Sequence, residues 1–194
     1  EGIEMISFAE VAPDISIIST SLGKSFNFTG VNHANLLIRD ERLRAQYERQ
    51  KEMEHFGSID PFFYTAVRAA YSIKGAQWVR QMNRHTWQNY CLLKTALQRE
   101  VPEIKLAPLE GTFVVWMDLR ALGLSDEQLV EFLKEKVQVL GDPGKEYGPS
   151  GSGFMRFNIA VPRKTIAVFA ERLARACKDR LATKPFWDKE NVID

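Results

Sequence analysis

Cysteine, histidine and net charge are all scarce in this chain, and each scarcity removes a class of function. Its 194 residues include two cysteines and three histidines, and the formal net charge is +1. Balanced charge gives no electrostatic case for a nucleic acid or an anionic membrane surface as partner. His33, His55 and His85 match no zinc-ligand spacing, and Cys91 and Cys177 are too distant in sequence for a local site, so no metal is expected. Two cysteines allow at most one disulfide. Both lie in helix-like stretches among apolar neighbours, which favours buried free thiols in a reducing cytosol and a cytoplasmic location. No apolar run reaches the length of a membrane span, and no signal-peptide pattern opens the chain. The first residue is Glu1, without an initiator methionine, which raises the expectation of a fragment or processed product.

What is present is ordinary globular material. Hydrophobic residues make up 45% and charged residues 26%, which excludes disorder and allows one sizeable core. The β-branched run from Asp14 to Ser21 reads as a strand buried on both faces, as in a parallel sheet. His33 to Ile38 reads as a second strand, and Glu41 to His55 as a solvated helix. Pro61 after Asp60 opens a further helix, expected to run to Ile73 and end at Lys74-Gly75. From Ala76 to Glu100, Val79, Met82, Thr86, Tyr90, Leu93 and Leu97 draw one apolar stripe, stopped by Val101-Pro102.

The remainder alternates strands and helices. Thr112–Met117, Val137–Leu140 and Phe154–Ala160 read as strands, and Ser125 with Gln128 forms a capping box for a helix through Glu135. Ile166, Phe169, Ala170, Leu173 and Cys177 line one face of a last helix, and the tail after Leu181 has no pattern. The second half is therefore α/β or α+β. Two strands and one helix make a poor domain alone, so the first fifty residues look like the end of something larger.

Two motifs are decoys. Gly23-Lys24-Ser25 mimics the end of a phosphate-binding loop, but Ile18 stands where that loop needs glycine, and a strand follows instead of a helix. Gly148–Gly153 is glycine-rich but lies between strands, a flexible loop. No nucleophilic-serine elbow occurs.

Lys24 is the residue with chemistry to offer. It stands just beyond a strand, between hydroxyls and ahead of a glycine turn. An amine there, partly shielded from water, is able to attack a carbonyl and form a Schiff base. The competing reading is a plain surface lysine. On the last strand Phe154, Arg156 and Asn158 share one face and Met155, Phe157 and Ile159 the other, so an arginine and an asparagine mark a polar pocket.

Thr20-Ser-Leu-Gly-Lys-Ser-Phe-Asn-Phe-Thr-Gly30 resembles the lysine segment of class I/II aminotransferase-like enzymes that use pyridoxal 5'-phosphate, closest to their cystathionine β-lyase-like branch of C–S lyases. Glu110–Asp118 resembles the family's glycine-aromatic strand, Asp142–Gly148 its proline-glycine loop and Gly153–Arg163 its substrate-carboxylate segment. The resemblance implies an α/β fold, the C-terminal part of a transferase of aspartate aminotransferase type (fold type I). Residues 1–75 would end the large cofactor domain, and 76–194 would form the interdomain helix and small domain. It implies that Lys24 carries the cofactor as a Schiff base and later moves the proton at the substrate Cα. Ser21 would help hold the phosphate, Arg156 would grip the α-carboxylate of an amino-acid substrate, and Tyr147 would line the same cleft. A homodimer is implied too, with 56–61 near the partner's site. Asn32 stands where many members have a basic phosphate contact. The family's ring-stacking aromatic, pyridine-nitrogen acid and phosphate loop have no counterpart here. The activities implied are a C–S lyase releasing pyruvate and ammonia, or an aminotransferase; a chain without activity of its own is the third expectation.

Overall fold

The computed structural model describes residues 5–30, 33–57 and 60–183. Asn32, part of the 56–61 loop and the tail from 184 onwards, all singled out above, lie outside the described residues. The chain divides into two compact units after Gln81.

The first unit holds α1 (Phe8–Val11), β1 (Ile17–Thr20), β2 (Asn35–Ile38), α2 (Glu41–Met53), α3 (Pro61–Ala70) and the first turns of α4 (Ile73–Glu100). β1 and β2 pair antiparallel from Ile17↔Ile38 to Thr20↔Asn35, a ribbon of two strands. The expectation of a strand buried on both faces in a parallel sheet is thus corrected: β1 is short, antiparallel and mostly exposed. β-branched composition reports a pleated backbone, and says nothing of what lies against it. Asp40 and Asp60 cap α2 and α3 through their carboxylates, accepting from Leu43 N–H at 2.8 Å and Phe62 N–H at 2.7 Å.

The break between α3 and α4 falls earlier than Lys74-Gly75. Ser72 donates its hydroxyl to the Ala69 carbonyl at 2.7 Å and accepts from Gly75 N–H at 3.1 Å, so one side chain closes α3 and opens α4. A Cβ on Gly75 would stand 1.9 Å from the Ala70 carbonyl oxygen. That glycine permits a close approach rather than ending a helix.

The second unit contains the rest of α4, β3 (Lys105–Leu106), β4 (Val114–Asp118), α5 (Asp126–Phe132), β5 (Asp142–Pro143), β6 (Phe154–Asn158) and α6 (Arg163–Ala182). Its sheet runs β3-β4-β6-β5, antiparallel throughout. Strand parity holds as read: Met155, Phe157 and Ile159 are buried, as are Val115 and Met117 beside them. They join Tyr90, Leu93 and Leu97 of α4, Leu129 of α5 and Ile166, Ala170, Leu173 and Cys177 of α6 in one core. Each large apolar side chain buried there contributes about 1.5–3 kcal/mol. The capping box is present, with Ser125 Oγ accepting from Gln128 N–H at 3.2 Å and Gln128 Oε1 accepting from Ser125 N–H at 3.0 Å.

Val137–Leu140 is not a strand. α5 continues as a π turn over Leu133–Val137 and closes at Gln138 in the left-handed region, φ 59°. Leu129, Leu133 and Val137 recur every four residues and all are buried, so helical spacing outweighs the valine pair's strand propensity. The glycine-rich stretch read as a flexible loop contains a 3-10 turn, Pro149–Gly151, directly after another at Gly144–Tyr147.

Asn89, on α4, was outside the apolar stripe yet is fully buried. Its amide donates to the Ile159 and Val161 carbonyls, both at 2.9 Å, just past the end of β6 where the ladder offers them no partner. His85 lies 2.8 Å from the same Val161 carbonyl through Nε2, a structural role. The cysteines are free; burial pushes the Cys177 thiol up to about 12, while Cys91 is half-buried. No described helix is long and apolar enough to cross a membrane, and no metal-binding cluster occurs among the described residues.

Candidate functional site

In the first unit the chain leaves β1 at Thr20 and turns back on itself. Leu22 is 2% exposed and anchors the turn, and Phe26 N–H donates to its carbonyl at 2.9 Å. The Phe26 ring stacks on Trp78 of α4, centroids 5.8 Å apart at 12°. Thr29 Oγ1 donates to the Gly23 carbonyl at 3.4 Å, and Ser21 Oγ accepts from Gly23 N–H at 3.4 Å. Two apolar side chains therefore face inward and hold the loop, and the polar ones between them face out. Lys24 is exposed, as are Ser21 and Ser25. The partial shielding expected for this amine is not seen, because only Leu22 and Phe26 turn toward the unit's interior. No hydrogen bond or ion pair engages Lys24 among the described residues.

A polar relay that sequence reasoning missed lies at the strand end. Asn35 donates to Tyr71 Oη at 2.9 Å and to Thr20 Oγ1 at 3.4 Å. It depends on the Thr20↔Asn35 register, which no local pattern could supply.

In the second unit Arg156 lies at the centre of β6, on the sheet face opposite the core. Its register neighbours are Trp116 on β4 and Asp142 on β5. Both bonds on its guanidinium fall on Nη1: one to the Asp142 carboxylate, one to Tyr147 Oη at 2.9 Å. Trp116 meets the Tyr147 ring edge-on at 5.6 Å and stacks on Phe154 at 5.7 Å. The Arg120 guanidinium carbon lies 4.7 Å from the centre of the Phe154 ring and the side chain pairs with Asp118 at 2.8 Å; its hydrogen bond holds the Asp118 carboxyl below the ordinary carboxylate range. The polar pocket expected from Arg156 and Asn158 is a framed arginine. Asn158 instead accepts from Ala160 N–H at 2.8 Å.

The segment bringing Tyr147 to this face is clamped. Gly144 and Gly151 cross so closely that a Cβ on either would lie 2.2 or 2.1 Å from the other's carbonyl oxygen. Asp126 accepts from Gly153 N–H at 2.9 Å and Ser152 Oγ at 3.0 Å, and these bonds lower its carboxyl. Lys24 and Ser21 thus share one loop of the first unit, and Arg156 and Tyr147 one face of the second.

The first unit thus presents a lysine on a turn, and the second an arginine framed on an antiparallel sheet. The family model for aminotransferase class I and II matches residues 2–173, so the chain belongs to that family. It is 31% identical over 170 residues to cystathionine beta-lyase PatB of Bacillus subtilis, covering 88% of this chain and 44% of that protein. It is 30% identical over 162 residues to protein MalY of Escherichia coli, covering 83% and 41%. Among solved structures, cystalysin of Treponema denticola, which contains pyridoxal 5'-phosphate, superposes with a TM-score of 0.84 at 29% identity over 92% of this chain and 46% of that one. The chain therefore spans less than half the length of the relatives it matches. Its mixed α/β architecture is that of fold type I enzymes, as expected from the resemblance.

Proposed function

We propose that this chain forms the lysine- and arginine-bearing part of a pyridoxal-phosphate-dependent C–S β-lyase that removes a thiol from a cysteine conjugate such as cystathionine. What supports the reading is the family match over residues 2–173 together with Lys24 on a loop held by Leu22 and the Phe26–Trp78 stack, its amine without a partner among the described residues. The donor set suits the cofactor: an amine for its aldehyde and the Ser21 hydroxyl for its phosphate. When bound, pyridoxal 5'-phosphate supplies the electron sink.

The chain's own residues supply position and proton transfer. Lys24 takes the proton from the substrate Cα, and Arg156 holds the α-carboxylate so that this C–H bond is oriented for transfer. Tyr147 borders the carboxylate. Residues 1–75 end the cofactor domain, residues 76–194 supply the interdomain helix and small domain, and the whole enzyme is a homodimer.

Steady-state assays of the intact enzyme test the activity. Pyruvate release from L-cystathionine without any added keto acid is expected. Turnover that requires 2-oxoglutarate and releases no pyruvate would make it an aminotransferase, the reading favoured by its 24% identity to the aspartate aminotransferase of Pyrococcus horikoshii. Borohydride reduction of the cofactor-loaded enzyme, followed by peptide mapping, is expected to place the label on Lys24.

A further inference from the structure

We propose that Asp142 and Tyr147 act as positioning residues for Arg156, pinning its guanidinium by Nη1 so that the Nε–Nη2 edge is left for a substrate carboxylate. The inference rests on the reading of Arg156 as the carboxylate site.

A guanidinium carries five N–H donors in a rigid plane, and paired recognition of a carboxylate uses two parallel donors on one edge. The two bonds to Arg156 use the two N–H groups of a single nitrogen. Among the described residues no side chain or carbonyl takes the Nε–Nη2 edge. A long side chain anchored at its tip loses its rotational freedom before substrate arrives, which favours binding in one geometry.

The anchors are themselves placed by rigid elements. Asp142 sits opposite Arg156 across the β5–β6 ladder. Tyr147 ends a 3-10 turn fixed by the Gly144–Gly151 crossing, with its ring braced by Trp116. The Arg156 guanidinium carbon also lies 5.5 Å from the centre of the Tyr147 ring, so the tyrosine supplies a wall as well as an acceptor.

An ordinary surface ion pair would look similar but behave differently. Asp142 is 52% exposed at its side chain, and pairs that open to water contribute little to stability. Removing Asp142 should therefore leave the fold intact and disturb only the arginine.

The test uses the intact enzyme. Asp142→Ala is expected to raise KM for L-cystathionine about tenfold with kcat within about twofold, since uniform binding is lost. Asp142→Asn keeps an oxygen acceptor and is expected to restore most of the affinity. Tyr147→Phe is expected to raise KM about threefold. Calorimetric titration with 3-methylthiopropionate, against its primary amide, separates carboxylate recognition from turnover; the preference for the acid should shrink in Asp142→Ala. Melting temperatures are expected to match the parent for all three.

If Arg156→Ala raises KM while Asp142→Ala leaves it unchanged or lowers it, the positioning role is wrong and the carboxylate site survives. If Arg156→Ala itself leaves KM and the acid preference unchanged, the reading of Arg156 falls, and this inference with it.

Discussion

The two units treat their apolar side chains in opposite ways. The second encloses Leu93, Leu97, Met117, Ile159 and Leu173 in a closed core, none more than 1% exposed. In the first, Leu22 and Ala70 are the only fully buried hydrophobic residues among those described, while Ile15, Phe62 and Ile73 stand about 80% exposed. A framed arginine thus rests on a core of its own, and the lysine loop rests on one leucine and one stacked aromatic pair. The placement of Arg156 follows from the second unit's own packing; Lys24 rides on a loop with two apolar anchors.

The sharpest way to break this contrast is Leu173→Ala. It should destabilise the chain by about 2–5 kcal/mol in urea unfolding, since the cavity opens in an enclosed site. A loss below about 1 kcal/mol would mean the core is not closed. Asn89→Ala is expected to cost about 1–3 kcal/mol, because the Ile159 and Val161 carbonyls lose their amide donor.

Acidification sharpens the contrast from another side. Glu100, Asp118, Asp126 and Glu127 all have lowered carboxyls in the folded state, and all lie in the second unit. Their hydrogen bonds to Lys178, Arg120, the Gly153 backbone N–H and the Glu127 backbone are the leading causes. A carboxyl lowered on folding stabilises fully above its unfolded pKa near ~4 and loses that contribution as pH falls through the folded value. Unfolding of the second unit should therefore become easier below about pH 4, read by circular dichroism across a pH series. A flat profile from pH 6 to pH 2 would contradict these bonds. The smallest effect belongs to Ile15→Ser in the first unit, expected within about 0.5 kcal/mol of the parent. A cost comparable to Leu173→Ala would show that the exposed isoleucine is covered in solution.

Local chemistry was readable from the chain wherever one residue and its near neighbours decide the outcome. Asp60 before Pro61, Ser125 with Gln128, and the spacing of Ile166, Phe169, Leu173 and Cys177 each carry their structural result in a few positions. The alternation around Arg156 is of the same kind. Partners across the sheet are not. That Asp142 faces Arg156 depends on the register of a two-residue strand, and the Thr20–Asn35–Tyr71 relay depends on a turn and a helix returning to one place. β1 shows the same limit: its isoleucines announce an extended backbone but not which face, if either, will be covered. Val137 shows how a period of two over three residues can hide a longer period of four.

Cys177 has a practical consequence. Sealed inside the second unit and with its ionisation pushed to about 12, its sulfur is unreactive at neutral pH while α6 stays docked. Cys91, half-buried, is left to react first. A thiol-counting dye should therefore register one fast sulfur in the native chain and a second only once the fold has opened, giving the molecule a built-in chemical gauge of its own integrity.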